Sequence, residues 1–180
     1  MRRLVYYVAV SLDGFIAGPN EDISDFVQSG PGVDQYFQDL KGYDTVIMGR
    51  RTYEFGYKWG IKPGEPAYPH MQHYVFSDSL QLPPNPQVQV CACDVDVVKR
   101  LKAEGAGDIY LAGGGEFAGW LLDHNLIDIV RIKLNPLILG DGTRVFGSST
   151  SSAKLTMVDR RDYEEGLQIL TYEMSGKGLG

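Results

Sequence analysis

The sequence is poor in the residues that bind soft metals or staple a fold: two cysteines, Cys91 and Cys93, and three histidines, His70, His73 and His124. Spaced i, i+2 on an expected strand, the cysteines share one face. That geometry is poor for a mutual disulfide, and two thiols are too few for a zinc site. They read as two buried or half-buried thiols. The histidines show no metal-ligand spacing, so no metal is expected. No apolar run approaches the ~20 residues of a membrane span. Met1-Arg2-Arg3-Leu4 leads straight into a strand pattern rather than the apolar core of a secretory signal. A cytoplasmic protein with no membrane partner is the expectation. Positive charge is also scarce: 17 Lys and Arg against 23 Asp and Glu give a formal charge of −6. Counterion release on DNA or RNA offers such a chain nothing, so nucleic acid is not an expected partner.

What is present fits one globular domain. With 180 residues the chain buries enough surface to need no metal or disulfide. No repeat or low-complexity linker divides it, so a single domain over 1–175 is expected, with 176–180 as a flexible tail. Leu4 to Val10 is a continuous apolar and β-branched run, the pattern of a central strand buried on both faces. Further short strands are predicted at 45–48, 74–76, 88–91, 109–112 and 127–134, and helices at 33–40, 95–104 and 116–124. The 18–32 segment is long and polar, as functional loops are. Two final strands around Tyr163-Glu164-Glu165 predict an antiparallel hairpin. Strands alternating with helices, closed by a hairpin, imply a three-layer α/β/α domain around a mixed sheet.

Two strand ends carry candidate ligand chemistry. Gly113-Gly114-Gly115 stands between a strand and a helix, where glycines admit a ligand to the backbone and the helix N-terminus offers unpaired N–H groups to a phosphate. A tight turn without a ligand is the competing reading, and the G-x-G-x-x-G fingerprint is absent. Met48-Gly49-Arg50-Arg51-Thr52 repeats the arrangement with two cations and a hydroxyl. Arginines are disfavoured at a helix start, so their presence points to a nearby anion. Ser77-Asp78-Ser79 follows another strand and suits either a ribose contact or a turn.

Ser11-Leu12-Asp13-Gly14-Phe15-Ile16-Ala17, Met48-Gly49-Arg50-Arg51-Thr52-Tyr53-Glu54, Phe76-Ser77-Asp78 and Leu111-Ala112-Gly113-Gly114-Gly115 occur in the order seen in the dihydrofolate reductase superfamily. The chain more closely resembles its bacterial branch related to the C-terminal reductase domain of the bifunctional riboflavin-biosynthesis deaminase/reductase. The later Leu134-Asn135-Pro136-Leu137-Ile138-Leu139-Gly140-Asp141-Gly142 is similar to a loop of that branch. The H-x-E…P-C-x-x-C signature of zinc deaminases does not occur in these residues.

The resemblance implies a dihydrofolate-reductase-like mixed sheet, a homodimer, and a small-molecule substrate reduced by hydride from NADPH. The substrate would be a small heterocycle, pterin-like or ribosylaminopyrimidine-like. Ala9 and Ile16 would meet the nicotinamide end of the cofactor. Gly49, Arg50, Arg51 and Thr52 would hold its phosphates, Ser77 its ribose, and Gly113, Gly114 and Gly115 its pyrophosphate, with a cis peptide between Gly113 and Gly114. Asp78 and Glu116 place carboxylates near a 2′-phosphate, which leaves NADH open as the alternative. For the proton donor, the nearest match to the superfamily's acid is Asp25, and Asp13 is the second candidate. Tyr53, Tyr57, Trp59 and Phe26 are candidates to line a planar-substrate pocket. A dinucleotide-binding module without turnover is the competing function.

Overall fold

A computed structural model describes residues 1–175 of the chain, so the expected tail at 176–180 lies outside the described residues. In chain order the elements are β1 (Leu4–Ser11), β2 (Phe15–Ala17), α1 (Pro31–Leu40), β3 (Thr45–Gly49), α2 (Arg50–Phe55), β4 (Gln72–Phe76) and β5 (Val88–Cys91). They continue with α3 (Val95–Ala103), β6 (Ile109–Gly113), α4 (Gly115–Asp123), β7 (Ile129–Asn135), β8 (Thr143–Arg144), β9 (Lys154–Asp162) and β10 (Gln168–Ser175).

Eight strands make one mixed sheet in the order β5-β4-β3-β6-β1-β7-β10-β9. The strands from β5 to β7 in that order are mutually parallel, and β10 runs antiparallel to both β7 and β9. β1 lies at the centre, with Leu4 beside Ile109 and Val5 beside Ile129. Its neighbours cover both edges and helices cover both faces, which is why it reads as an unbroken apolar run.

Alternation along the strands splits the interior into two layers. On one side Leu4, Tyr6, Ile47, Ile109 and Leu111 pack under α3 and α4 through Val98, Leu101, Ala118 and Leu121. On the other, Val5, Tyr7, Val46, Met48 and Tyr110 pack under α1 and α2 through Leu40 and Tyr53. The predicted three-layer arrangement and the C-terminal hairpin are therefore present.

Three local expectations need correction. α1 begins at Pro31, two residues before the apolar pattern starts, because proline is well placed at a helix's first position. A second sheet, β2 paired antiparallel with β8, was not foreseen; its strands are too short to carry a periodic signal. The two cysteines do not form a buried pair: β5 ends at Cys91, and Cys93 is an exposed free thiol beyond it.

Candidate functional site

The site follows from the order of connections. β3 and β6 are neighbouring parallel strands, with Met48 beside Gly113. The helix after β3 packs on one face of the sheet and the helix after β6 packs on the other. Such a divergence opens a crevice beyond the carboxyl ends of the two strands. The two glycine corners meet there. A Cβ on Gly49 would lie 3.9 Å from the Gly114 nitrogen, and one on Gly114 would lie 3.1 Å from Thr52 Oγ1. The Gly113–Gly114 peptide is cis, and Gly113 has φ +124°, a backbone conformation that favours glycine.

A cavity of about 610 Å³ occupies this crevice, within the range of small-molecule and cofactor sites. Of the residues singled out above, Ile16, Gly49, Arg50, Arg51, Thr52, Gly114 and Gly115 line it. The helix starts differ in how their N–H groups are met. Asp94 caps α3 by accepting from the Asp96 N–H at 2.9 Å. No side chain caps α1, α2 or α4, and the first residues of α2 and α4 face the cavity. Uncapped N–H groups and the positive end of the helix dipole are what a phosphate binds.

The two arginines are not equivalent. Arg50 is engaged, with Glu54 at 2.9 Å and Ser79 Oγ at 3.1 Å. Arg51 is exposed at the cavity and has no ion pair among the described residues. The two carboxylates that weighed against a 2′-phosphate are both occupied. Asp78 accepts the Cys93 N–H at 3.1 Å and does not line the cavity; Glu116 lines it but accepts from Ser148 Oγ at 2.7 Å.

One wall was not foreseen. Phe76, Phe117 and Trp120 form a stack, with centroids 4.9 Å apart for the first pair and 5.8 Å for the second. All three line the cavity, as does Cys93. The i, i+3 spacing of Phe117 and Trp120 was the available signal, but it is also the signal of ordinary core packing.

Several candidates lie elsewhere. Ser77 Oγ accepts the N–H groups of Ser79 and Leu80, shaping the turn after β4 rather than lining the cavity. Ala9 and Gly113 sit behind the lining, where Val8 and Ala112 are exposed to it instead. Asp13 is fully used by Ser11 Oγ at 2.6 Å, Leu139 N at 3.1 Å and Gly140 N at 2.7 Å. The Ser11 hydroxyl, followed by these backbone donors, holds its pKa down to about 2, which suits a clamp between two loops and not an acid near neutral pH. Asp25 is exposed and does not line the cavity. Nor do Tyr53, Tyr57, Trp59 and Phe26: Tyr53 and Phe26 are buried, and Trp59 projects to solvent beside Phe55, which does line it.

The 18–30 loop is fastened above this crevice. The Val27 N–H donates to the buried Asn135 Oδ1 at 2.9 Å, and Glu21 and Ile23 reach the cavity. Glu21 also pairs with Lys58 at 3.3 Å.

This arrangement has a match in sequence. The model of the RibD C-terminal domain covers residues 2–169. The chain belongs to that family. Within reach of this RibD C-terminal domain is the "uncharacterized protein YwjB" of Bacillus subtilis (strain 168), 31% identical over 173 residues, spanning 93% of this chain and 96% of that protein. Among solved structures, a candidate riboflavin biosynthesis protein from Shewanella sp. PV-4 superimposes with a TM-score of 0.79 at 22% identity, covering 97% of this chain and 99% of that one. Dihydrofolate reductase from Enterococcus faecalis, complexed with NADP(H) and RAB-propyl, gives a TM-score of 0.69 at 16% identity with 97% of each chain covered. The domain thus has a dihydrofolate-reductase-like fold in a reductase family. No helix among the described residues is long and apolar enough to cross a membrane.

Proposed function

We propose that this protein is an NADPH-dependent reductase that delivers hydride to a C=N or C=O group of a small heterocycle, pterin-like or ribosylaminopyrimidine-like. The observation that carries this reading is the uncapped start of α4 opening onto a 610 Å³ cavity beside an unpaired arginine, Arg51. The donor set suits a dinucleotide. N–H groups of Gly114 and Gly115, with the Thr52 hydroxyl, hold the diphosphate. Arg51 supplies the forked cation for the 2′-phosphate. The Phe117–Trp120 wall gives a flat apolar surface for a ring. Bound NADPH supplies the hydride. Val8, Ile16 and Ala112 form an apolar floor that keeps water from the reacting carbon.

A homodimer belongs to the same proposal. β9 is an edge strand, and Leu155, Met157 and Val158 on it are exposed. A second copy covering them removes both an open edge and an apolar patch.

Calorimetric titration with NADPH and NADH, followed by absorbance at the nicotinamide band across a panel of pterins and aminopyrimidines, tests the function. Binding of NADPH more tightly than NADH, with substrate-dependent oxidation, is expected. Uptake of neither coenzyme overturns the proposal. Binding without oxidation by any substrate leaves the dinucleotide-binding module. Light scattering at a mass of one chain overturns the dimer alone.

A further inference from the structure

β7 carries a cation that the fold buries and leaves without an anion. Lys133 is 7% exposed, and among the described residues its ammonium forms no ion pair and donates no hydrogen bond. Its contact is the Tyr36 ring on α1, 4.7 Å from Nζ to the centroid. The other buried lysine, Lys102, shows the usual arrangement: its ammonium donates to Leu126 O and pairs with Asp128. Neighbouring cations on the Lys133 face are also served. Arg161 pairs with Asp39 and Asp159, and Arg131 donates to Thr171 Oγ1 and lies over the Tyr7 ring.

A buried ammonium without a counter-charge is unfavourable. No fully buried polar side-chain atom among the described residues lacks a partner. Lys133 Nζ makes no hydrogen bond, so it borders open space and is not sealed in the core. Register puts that space near the cofactor cavity, although neither Lys133 nor Ala9 lines the cavity itself. Lys133 stands beside Ala9 of β1, and β1 stands beside β6, whose Ala112 lines the cofactor cavity. Ala9 and Ala112 are small and half-buried, at the carboxyl ends of their strands and on the face that α1 covers. From β6 to β7 is two strand spacings, roughly 10 Å, the span of a bicyclic ring with one substituent.

We infer that Lys133 is a substrate-binding cation, and that the substrate is a planar heteroaromatic compound bearing a singly charged acid group that this ammonium meets. A lone lysine is a point charge and matches one negative charge, whereas a phosphate dianion calls for several donors. The inference rests on the reductase reading and adds the substrate's charge to it.

The test compares two pterins that differ in one charge, pterin-6-carboxylate and 6-hydroxymethylpterin, titrated by fluorescence against the protein saturated with NADP⁺. The wild type should bind the carboxylate at least about tenfold more tightly. Lys133→Gln and Lys133→Met should bring that ratio close to one, and Lys133→Arg should keep most of it. NADP⁺ affinity and thermal unfolding report whether each variant is folded. A wild-type ratio near one, binding of neither pterin, or a tenfold ratio surviving in a folded Lys133→Gln or Lys133→Met overturns the inference. If both neutral variants fail to fold, loss of the ratio in Lys133→Arg overturns it and retention upholds it. Any of these with NADP⁺ binding intact leaves the reductase reading standing, whereas absent NADP⁺ binding by the wild type removes the reading beneath it.

Discussion

The two faces of the sheet are built from different materials. Under α3 and α4 the interior is mostly aliphatic and phenylalanine, with one fully buried tyrosine, Tyr6, whose hydroxyl donates to Val145 O at 2.8 Å. Under α1 and α2 eight of the eleven tyrosines gather, four of them buried: Tyr7, Tyr43, Tyr53 and Tyr110. Three of the four buried hydroxyls, on Tyr7, Tyr53 and Tyr110, have hydrogen-bond partners. Tyr36 and Tyr110 share a hydrogen bond of 2.7 Å, Tyr7 donates to Asp39 at 3.0 Å, and Tyr53 donates to Glu65 O at 2.9 Å while accepting the Gly64 N–H at 2.8 Å. Burial holds the Tyr36 and Tyr110 hydroxyls well above the ordinary tyrosine pKa, so they stay neutral donors and acceptors. One face is specified mainly by filling and the other mainly by pairing. The glycine corners stand where the two meet.

Substitutions that respect one rule and violate the other separate the two faces. The largest effect is expected from Gly115→Ala at the corner that serves the aliphatic face. A Cβ there would lie 2.1 Å from the backbone oxygen of Arg144, which cannot swing aside as a side chain would. The cost is about 3 kcal/mol of stability by denaturant unfolding, with NADPH binding weakened more than about tenfold by calorimetry. Next, Arg51→Ala should raise the NADPH Kd by about tenfold and leave NADH within about twofold. Arg50→Ala, whose guanidinium is already held by Glu54, should change the NADPH Kd by less than about threefold. Equal losses for both coenzymes with Arg51→Ala would move that arginine from the 2′-phosphate to the diphosphate.

On the tyrosine face, Tyr110→Phe keeps the volume and deletes one hydroxyl from the cluster it shares with Tyr36 and Tyr68. A loss of about 1–2 kcal/mol is expected from urea unfolding. A further effect is a pH slope. Burial lowers the His73 pKa to about 4, and its Nε2 accepts the Tyr68 N–H at 3.1 Å, so the folded state needs the neutral ring. The unfolded chain protonates this histidine near pH 6.5, its ordinary value. Its contribution is therefore complete above about pH 6.5 and declines as the pH falls towards about 4. Melting temperatures measured across that interval should drop more steeply for the wild type than for His73→Phe, whatever the variant's own starting stability.

Much of this was legible because it rests on local patterns. The buried run of β1, the alternation of strands and helices, and the glycines at two strand ends all announce themselves within a few residues. The long polar 18–32 segment pointed to a loop of functional use, and Glu21 and Ile23 do reach the cavity. What escaped depends on partners distant in the chain. β8 exists only because Phe15 and Ala17 come to lie beside Arg144 and Thr143. Asp13 looked available until the turn at Leu139 and Gly140 took both of its oxygens. The engagement of Arg50 was readable, since Glu54 stands four residues on, where a helical ion pair forms. Lys133 drew no notice on an alternating strand, because nothing local says that α1 will cover it.

The place of β1 has a consequence for how the molecule is made. It leaves the ribosome well before its partners, since Ile109 and Ile129 follow more than a hundred residues later. At ordinary rates of synthesis that is a delay on the order of 10 seconds, during which the most apolar segment of the chain has no sheet to join. Assembly must then close those distant pairings at once, a slow topology in which the nascent chain depends on being shielded. Moving the chain's start by circular permutation, so that β1 emerges after β6, should shorten refolding while leaving the finished fold unchanged.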